Sequence, residues 1–505
     1  MTMNQTAPKI EEQDNTPPLS LPPIINPITQ AFLDQEQQTV FDLVDAFGSP
    51  MNLIFPQVID QNIKAFKEVY KKNNLAGQIY FTSKPNKSLS IMRQVSMNDV
   101  NIDVSSEGAL KTVLGCGFNP SRIECTGPKN LEYLSLAVQQ GVTINADNLT
   151  ELKQAVDIRR SLGLKEKLRV FVRLSGFNSP RVKFTSQDGT FGIHVKDAPQ
   201  IFEFLKAHQD DLDFQGFAYY WSSASEEQRI VALENALELT FAAIEHGLNP
   251  KGLNIGGGFH IQYAADRNQW LRYIDTVKES LLEFDEQLTW NNNGLGFRNE
   301  GGLIKGAANY VDHFMPRTGA DDFDQVMNLP LPSFDGMSAA QIISDSLLEL
   351  YIEPGRSLLD QLGVTVGRVN FSKPSVNGET LVALDMNRSN MHSTHQKLLT
   401  DPVVLYKDKA RCRPCPEGVY YVGNLCVSYD IITYNKTFPT LLPEPGDLVV
   451  FANTAPYIMD FIESNTLHQN TGQKVTITQE DDRFRWFTDE KYKPVIQKYL
   501  KGETA

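Results

Sequence analysis

The most constraining feature of this chain is a rhythm. From Gly48 to Gly363, short runs rich in β-branched and aromatic residues alternate with longer stretches of helical period. The short runs are MNLIF, GQIYF, NIDVSS, RIECTG, VTINAD, LRVFVRL, FQGFAYY, GLNIGGG and ELYIEP; VIDQNIKAFKEVYKKNN and NLEYLSLAVQQG are typical of the longer stretches. Strands that alternate with helices lie parallel, with both sheet faces covered. About eight such units in roughly 300 residues fit a closed (β/α)8 barrel better than an open sheet. The rhythm breaks between Gly258 and Glu353, where far more chain intervenes than one helix needs, including the Asn/Gly-rich WNNNGLGFRNEGG. This reads as an insertion near 265–345, serving as a lid or an interface arm.

After EPGRSLLDQ the texture changes. VTVGRVNF, TLVALDM, VVLYK, GVYYVG, GDLVVFAN and VTITQ are strands without intervening helices, which predicts an all-β second domain. The expected division is a disordered tail over 1–30, a segment over 31–55 joining the β domain, the barrel over 56–360, the β domain over 361–490 and a tail over 491–505. The N-terminus has no apolar core and carries acids, so it does not read as a secretory signal.

A net charge of −14 over 505 residues argues against nucleic acid or an anionic membrane as the main partner. No apolar run approaches the ~20 residues needed to span a bilayer. Cys116, Cys125, Cys412, Cys415 and Cys426 are too few for a disulfide scaffold in so long a chain, which favours the cytoplasm.

Chemistry in such a barrel sits at the C-terminal ends of the strands. Lys84 closes QIYFTSK, Asp103 and Ser105 close NIDVSS, Gly256, Gly257 and Gly258 close GLNIGGG, and Glu353, Gly355 and Arg356 close YIEPGR. A lysine at a strand end is ordinarily a solvated rim charge, and three glycines are as often a flexible turn as an anion cradle. Together they point to a phosphate-bearing cofactor whose carbonyl condenses with an amine, which describes pyridoxal 5′-phosphate held as a Schiff base.

The order of motifs, YFTSKPNKS, DVSSEGAL, GFNPSRIECTGPKNLEYL, LNIGGGFHIQY, YIEPGRSLLDQLGVTVGRV, VGNLCVSYD and GDLVVFANTAPY, resembles the fold-type III (group IV) pyridoxal-phosphate decarboxylases. That family includes diaminopimelate and eukaryotic ornithine decarboxylase, and its barrel is like that of alanine racemase. The finer wording is closer to a longer, poorly characterised branch. The resemblance implies an amino-acid carboxy-lyase that works as a homodimer with shared active sites. It makes Lys84 the Schiff-base lysine, with Lys87 the weaker candidate. Asp103 joins the cofactor site; Gly256, Gly257, Gly258, Gly355 and Tyr457 hold the phosphate, with Arg356 nearby. Glu353 pairs with the pyridine nitrogen, where a carboxylate keeps the ring protonated and favours decarboxylation over racemisation. Cys426 corresponds to the catalytic cysteine supplied across the dimer interface. The substrate contacts fall on Val427, Asp430 and Arg388. A racemase or epimerase, or an inactive homologue kept as a binding protein, are the competing readings.

Two departures stand out. Tyr220 replaces the histidine that stacks on the ring, leaving Ser223 as a phosphate ligand. Val427 replaces the acid that grips a distal amine, so either Asp430 or Asp460 supplies that charge or the substrate lacks it. Cys412 and Cys415 form a lone C-x-x-C, and His392 and His395 lie in NMHSTHQ; with too few ligands in either case, no metal is expected.

Overall fold

The computed structural model describes residues 19–177, 190–220, 225–283, 288–391, 397–460 and 466–496. Among them, eight parallel strands close a barrel: Ala76–Thr82, Asn101–Val104, Ile123–Cys125, Thr143–Ala146, Leu168–Ser175, Leu212–Ala218, Gly252–Asn254 and Glu349–Ile352. They stand in chain order round the ring, and Glu349–Ile352 completes it by pairing with Ala76–Thr82, Tyr351 opposite Gln78. The expected (β/α)8 barrel with an all-β partner domain is the fold observed.

The helices start where short polar side chains precede a helical run. Ser106 accepts a hydrogen bond from the backbone of Ala109 (3.1 Å), Asn130 from Tyr133 (2.9 Å) and Asn148 from Glu151 (2.9 Å), each satisfying a donor the helix leaves open. Helix Gln57–Lys72 buries Val58, Ile59, Ile63, Phe66, Val69 and Tyr70, a stripe at helical spacing that faces the barrel. Phe66 meets Phe259 and Phe323 at ring separations of 5.5 and 5.8 Å. Burying such a ring stabilises the fold by about 1.5–3 kcal/mol.

Side chains alternate across a strand, so residues two apart share the barrel lumen. Tyr80, Phe171 and Tyr351 form an aromatic layer, with Phe171 and Tyr351 edge to face at 5.1 Å. One step toward the C-terminal ends of the same strands come Thr82, Arg173 and Glu353. The lumen thus turns from apolar to polar over a single repeat of the pleat.

The insertion supplies helix Arg267–Glu283, the hairpin Phe297–Glu300/Leu303–Gly306, and helices Gly319–Asn328 and Ala339–Asp345. Trp270, Tyr273, Ile274, Val277 and Leu295 pack with Leu21 and Leu399 in a small core of their own. The insertion is therefore cemented to the N-terminal segment and to the β domain.

The second sheet runs Val403–Leu405, Leu448–Phe451, Gly363–Pro374, Met51–Ile54, Gln473–Glu480 and Arg483–Thr488, with Thr380–Leu384 and Tyr420–Val422 branching from Gly363–Pro374. Met51–Ile54 is antiparallel to Gly363–Pro374 and parallel to Gln473–Glu480. Among the described residues, no helix is long and apolar enough to cross a membrane.

Candidate active site

At the C-terminal end of the barrel lies a cavity of about 760 Å³ lined by Lys84, Asp103, Tyr220, Gly258, Glu353, Gly355, Arg356 and Tyr457. Eight residues singled out in sequence from six separate stretches therefore converge on one space. Ser223, His392 and His395 lie outside the described residues.

Lys84 sits on a tight turn held from both sides. Ser83 N–H donates to the Asp103 carbonyl (3.0 Å), Tyr457 N–H donates to the Pro85 carbonyl (3.0 Å), and Asn86 Nδ2 donates to the Ala455 carbonyl (3.0 Å). The β domain thus clamps the lysine turn in place. The Lys84 ammonium projects into the open cavity, 5.5 Å from the centre of the Tyr220 ring. Burial works to lower its pKa, but Tyr457, Tyr220, Asp103 and Glu353 outweigh that, and the net shift is upward. Lys87 points elsewhere: its backbone N–H donates to Asp460 Oδ2 (2.6 Å) and its side chain is three-quarters exposed outside the cavity.

Below the lysine lies a layer of buried carboxyl groups. Asp103 accepts hydrogen bonds from Thr82 and Thr126, both at 2.6 Å, and burial still raises its pKa. Asn254 Nδ2 donates to Glu353 Oε1 at 2.7 Å. Burial, and then the charge of Asp103, push Glu353 up to about 8. Glu124, hydrogen-bonded by Asn145 (2.7 Å) and Asn254 (3.3 Å), is raised well above the usual carboxylate range, first by burial and then by Glu353 and Asp103. Neighbouring carboxylates in a desolvated space retain protons because the charged forms are neither solvated nor compatible.

The three glycines divide by role. A Cβ on Gly257 would lie 2.3 Å from the Glu353 carbonyl; Gly256 adopts φ +67° and would meet the Tyr219 carbonyl at 2.5 Å. Both are required for close approach of neighbouring strand ends. Gly258 alone of the three lines the cavity. Across it, the Arg356 guanidinium lies 5.1 Å from the centre of the Tyr457 ring, and its Nη1 donates to Tyr263 Oη at 3.4 Å. Two buried polar atoms here have no partner among the described residues: Ser357 Oγ, on the cavity wall, and Asn145 Oδ1.

The remaining expected residues are elsewhere. Cys426 is exposed and Val427 half-buried on a loop that does not line this cavity. Asp430 is only 3% exposed, and its two oxygens accept the backbone N–H groups of Arg388 and Leu425, each at 2.7 Å. In this chain it braces its own loop and does not line the cavity. Asp460 is likewise engaged, with both oxygens 2.7 Å from Lys474 Nζ. The Arg388 guanidinium lies 4.8 Å from the centre of the Tyr429 ring, itself 58% exposed. Cys412 and Cys415 are unpaired, and no group of three metal-ligating side chains occurs among the described residues.

Sequence reasoning passed over Glu124, Asn145, Arg173, Asn254 and Ser357, and also Val311, Asp312 and Met315, which the insertion brings to the cavity. Asn254 and Glu124 could have been found from the strand alternation inside LNIGGG and RIECTG. Nothing local marks the insertion residues.

Residues 57–291 match the family model of the pyridoxal binding domain of pyridoxal-dependent decarboxylases. The chain is 27% identical over 454 residues to an uncharacterised protein, y4yA, of Sinorhizobium fredii, covering 89% of this chain and 92% of that protein. It is 23% identical over 441 residues to the diaminopimelate decarboxylase of Archaeoglobus fulgidus, with 85% and 88% covered. In fold it is similar to a diaminopimelate decarboxylase mutant of Helicobacter pylori, solved with L-lysine, at a TM-score of 0.62 and 20% identity over 92% of this chain and 99% of that one.

Proposed function

We propose, on the match of residues 57–291 to the pyridoxal binding domain of pyridoxal-dependent decarboxylases, that the chain is such a decarboxylase acting on an amino acid and that Lys84 tethers its cofactor. The observation that carries this reading is the convergence of the Lys84 amine and the proton-holding Glu353 carboxyl on one cavity.

The residues present fit pyridoxal 5′-phosphate. Ser357 Oγ, buried and without a partner, is a donor in want of an acceptor, and it follows Arg356 directly on the cavity wall. With Arg356, Tyr457 Oη and the backbone at Gly258 it supplies donors for a phosphate. When bound, the cofactor supplies a carbonyl that condenses with the substrate amine and a ring that accepts the electron pair left behind by carbon dioxide.

The protein's part is positional and electrostatic. Glu353, oriented by Asn254, holds a proton on its carboxyl that it would share with the basic ring nitrogen of the bound cofactor. The polar groups round Lys84, Tyr457 and Tyr220 foremost, raise its pKa against the effect of burial, so the amine is held protonated in the cofactor-free protein. Tyr220 offers an aromatic face beside Lys84, in place of an imidazole. The thiol of Cys426, exposed on its loop, would enter the cavity of a second copy and deliver a proton to the carbon that has lost its carboxylate. The working form is then a homodimer acting on a soluble amino acid in the cytoplasm. A carboxyl group at position 353 favours decarboxylation over racemisation, because it keeps the ring a strong electron sink.

Borohydride reduction of the yellow holoenzyme, followed by peptide mapping, tests the assignment. Cofactor fixed to Lys84 supports it. An adduct on Lys87, or none, removes Lys84 from its role.

A further inference from the structure

The loop that leaves the glycine turn carries a polar cluster for which the Lys84 chemistry has no use. His260 lies just beyond Gly258, and its Nδ1 stands 2.8 Å from Asp322 Oδ2. The same oxygen accepts the His260 backbone N–H (2.9 Å). Arg229, from helix Glu226–Glu245, donates through Nη1 to Asp322 Oδ1 (2.9 Å) and through Nη2 to Asp322 Oδ2 and the Gly258 carbonyl, at 3.3 Å each. One carboxylate thus joins the glycine loop, a barrel helix and the insertion helix Gly319–Asn328.

The cluster is held in place and its proton is fixed. Phe259 and Phe323, chain neighbours of His260 and Asp322, pack edge to face at 5.3 Å, and Gly319 N–H donates to the His260 carbonyl (2.8 Å). Asp322 and Arg229 are buried, whereas the His260 side chain is 20% exposed. Burial works to raise the Asp322 pKa, but the hydrogen bond from His260 and the charge of Arg229 outweigh it, and the net shift is downward. An ionised Asp322 needs a donor at 2.8 Å. Arg229 Nη2 also lies 3.3 Å from His260 Nδ1, but a guanidinium can only donate, and a bare Nδ1 would turn its lone pair on the carboxylate. Nδ1 therefore keeps its proton in either charge state of the ring. Nε2 is left to gain and lose the other, and it has no hydrogen-bond partner among the described residues.

His260 also stands at a boundary. It lines the cavity that Lys84 enters, and with Met315 it lines a second cavity of about 380 Å³ whose rim carries the exposed Glu226 and Arg317. Decarboxylation breaks the bond to the carboxylate carbon, leaves the electron pair on the α-carbon and forms a C–H bond there. One proton per turnover must therefore come from solvent.

We propose that His260 is the proton carrier of the site: Nε2 takes a proton from solvent by way of the smaller cavity and releases it into the main one, while Asp322 holds the ring for the transfer. The proposal rests on the decarboxylase reading for the reaction it serves.

Nitrogen-15 NMR of the histidine-labelled, cofactor-free protein reads the tautomer, with His260→Gln identifying the signal. A protonated Nδ1 beside a titrating Nε2 supports the proposal, and Asp322→Asn should mix the two tautomers; a proton fixed on Nε2 overturns it. In the loaded enzyme, His260→Gln should lower kcat for carbon dioxide release about 10²-fold, with KM and the cofactor Kd little changed. Added imidazole should restore part of the rate to His260→Ala, which a packing role would not allow. An unchanged kcat or a loss that imidazole does not mend overturns the proposal, as does a weakened cofactor Kd, which would make His260 a cofactor ligand instead. The two readings fail separately. Carbon dioxide release that His260→Gln leaves untouched keeps decarboxylation and sinks the carrier. Where no amino acid releases carbon dioxide, exchange of the α-hydrogen in deuterium oxide reports delivery to the same carbon. Wild-type exchange that His260→Gln abolishes then keeps the carrier and sinks decarboxylation.

Discussion

Lys84 and Cys426 lie in family-like motifs of similar clarity, yet the fold treats them in opposite ways. Lys84 stands at the mouth of the barrel on a turn clamped by the β domain, facing two carboxyl groups and two phenols. Cys426 stands on an exposed loop whose ordered partner, Asp430, is turned inward to hold the backbone. The contrast separates residues built on barrel strands, which share one cavity, from a cysteine carried on an exposed loop outside it, and it is what the shared-site proposal has to bridge.

The largest expected effect is at the barrel. Lys84→Ala should lower carbon dioxide release by at least ~10³-fold, the scale expected for loss of a covalent and acid–base group. The thermal midpoint should move little, because a side chain in an open cavity contributes little to packing. Unfolding on substitution would mean that Lys84 is structural. The sharpest test of the contrast is complementation. Lys84→Ala and Cys426→Ala, each inactive alone, should regain part of the activity when their subunits exchange, since one site of the heterodimer holds both residues. Proven exchange with no activity would place Cys426 outside the reaction.

Intermediate effects fall on the frameworks of the two halves. Gly257→Ala sets a methyl group 2.3 Å from the Glu353 carbonyl and should cost about 3 kcal/mol or more, measured by denaturant unfolding. Asp430→Asn keeps the shape of its loop but weakens two charge-assisted hydrogen bonds, a loss of about 1–2 kcal/mol. Activity should fall with it while cofactor binding is retained. Loss of cofactor in Asp430→Asn would show that the loop belongs to the same chain's cavity after all.

The last contrast is a pH dependence confined to the barrel, spread over several pH units and not concentrated in one substitution. Glu353 is raised from 4.5 to about 8, so the folded, cofactor-free protein holds a proton that the unfolded chain releases. Its contribution to stability is full below pH 4.5 and is lost as pH rises toward 8. Glu353→Gln should flatten that part of the unfolding profile, whereas Cys426→Ala should leave it as it was. An unchanged profile in Glu353→Gln would show that Glu124 or Asp103 carries the proton.

What the sequence determined by itself was whatever repeats or lies close in the chain. The alternation of strand and helix, the polar caps such as Asn130 and Asn148, and the strand-end positions of Lys84, Asp103 and Glu353 follow from local periodicity and local hydrogen bonding. The change from α/β to all-β texture after EPGRSLLDQ was equally legible. What only the tertiary structure decided was set by contacts between distant segments. Gly256 and Gly257 are needed because backbone from other strand ends packs on them, whatever the cofactor requires of Gly258. Glu353 holds its proton because it is buried and because Asp103 arrives from another strand into the same desolvated layer. Asp430 looked like a free acid and proved to be a brace, because the loop folds back over it. Asp312 carries no local signature at all. It reaches the cavity because His313, far from the barrel strands in sequence, is locked between the insertion and the β domain by hydrogen bonds that no window of sequence contains.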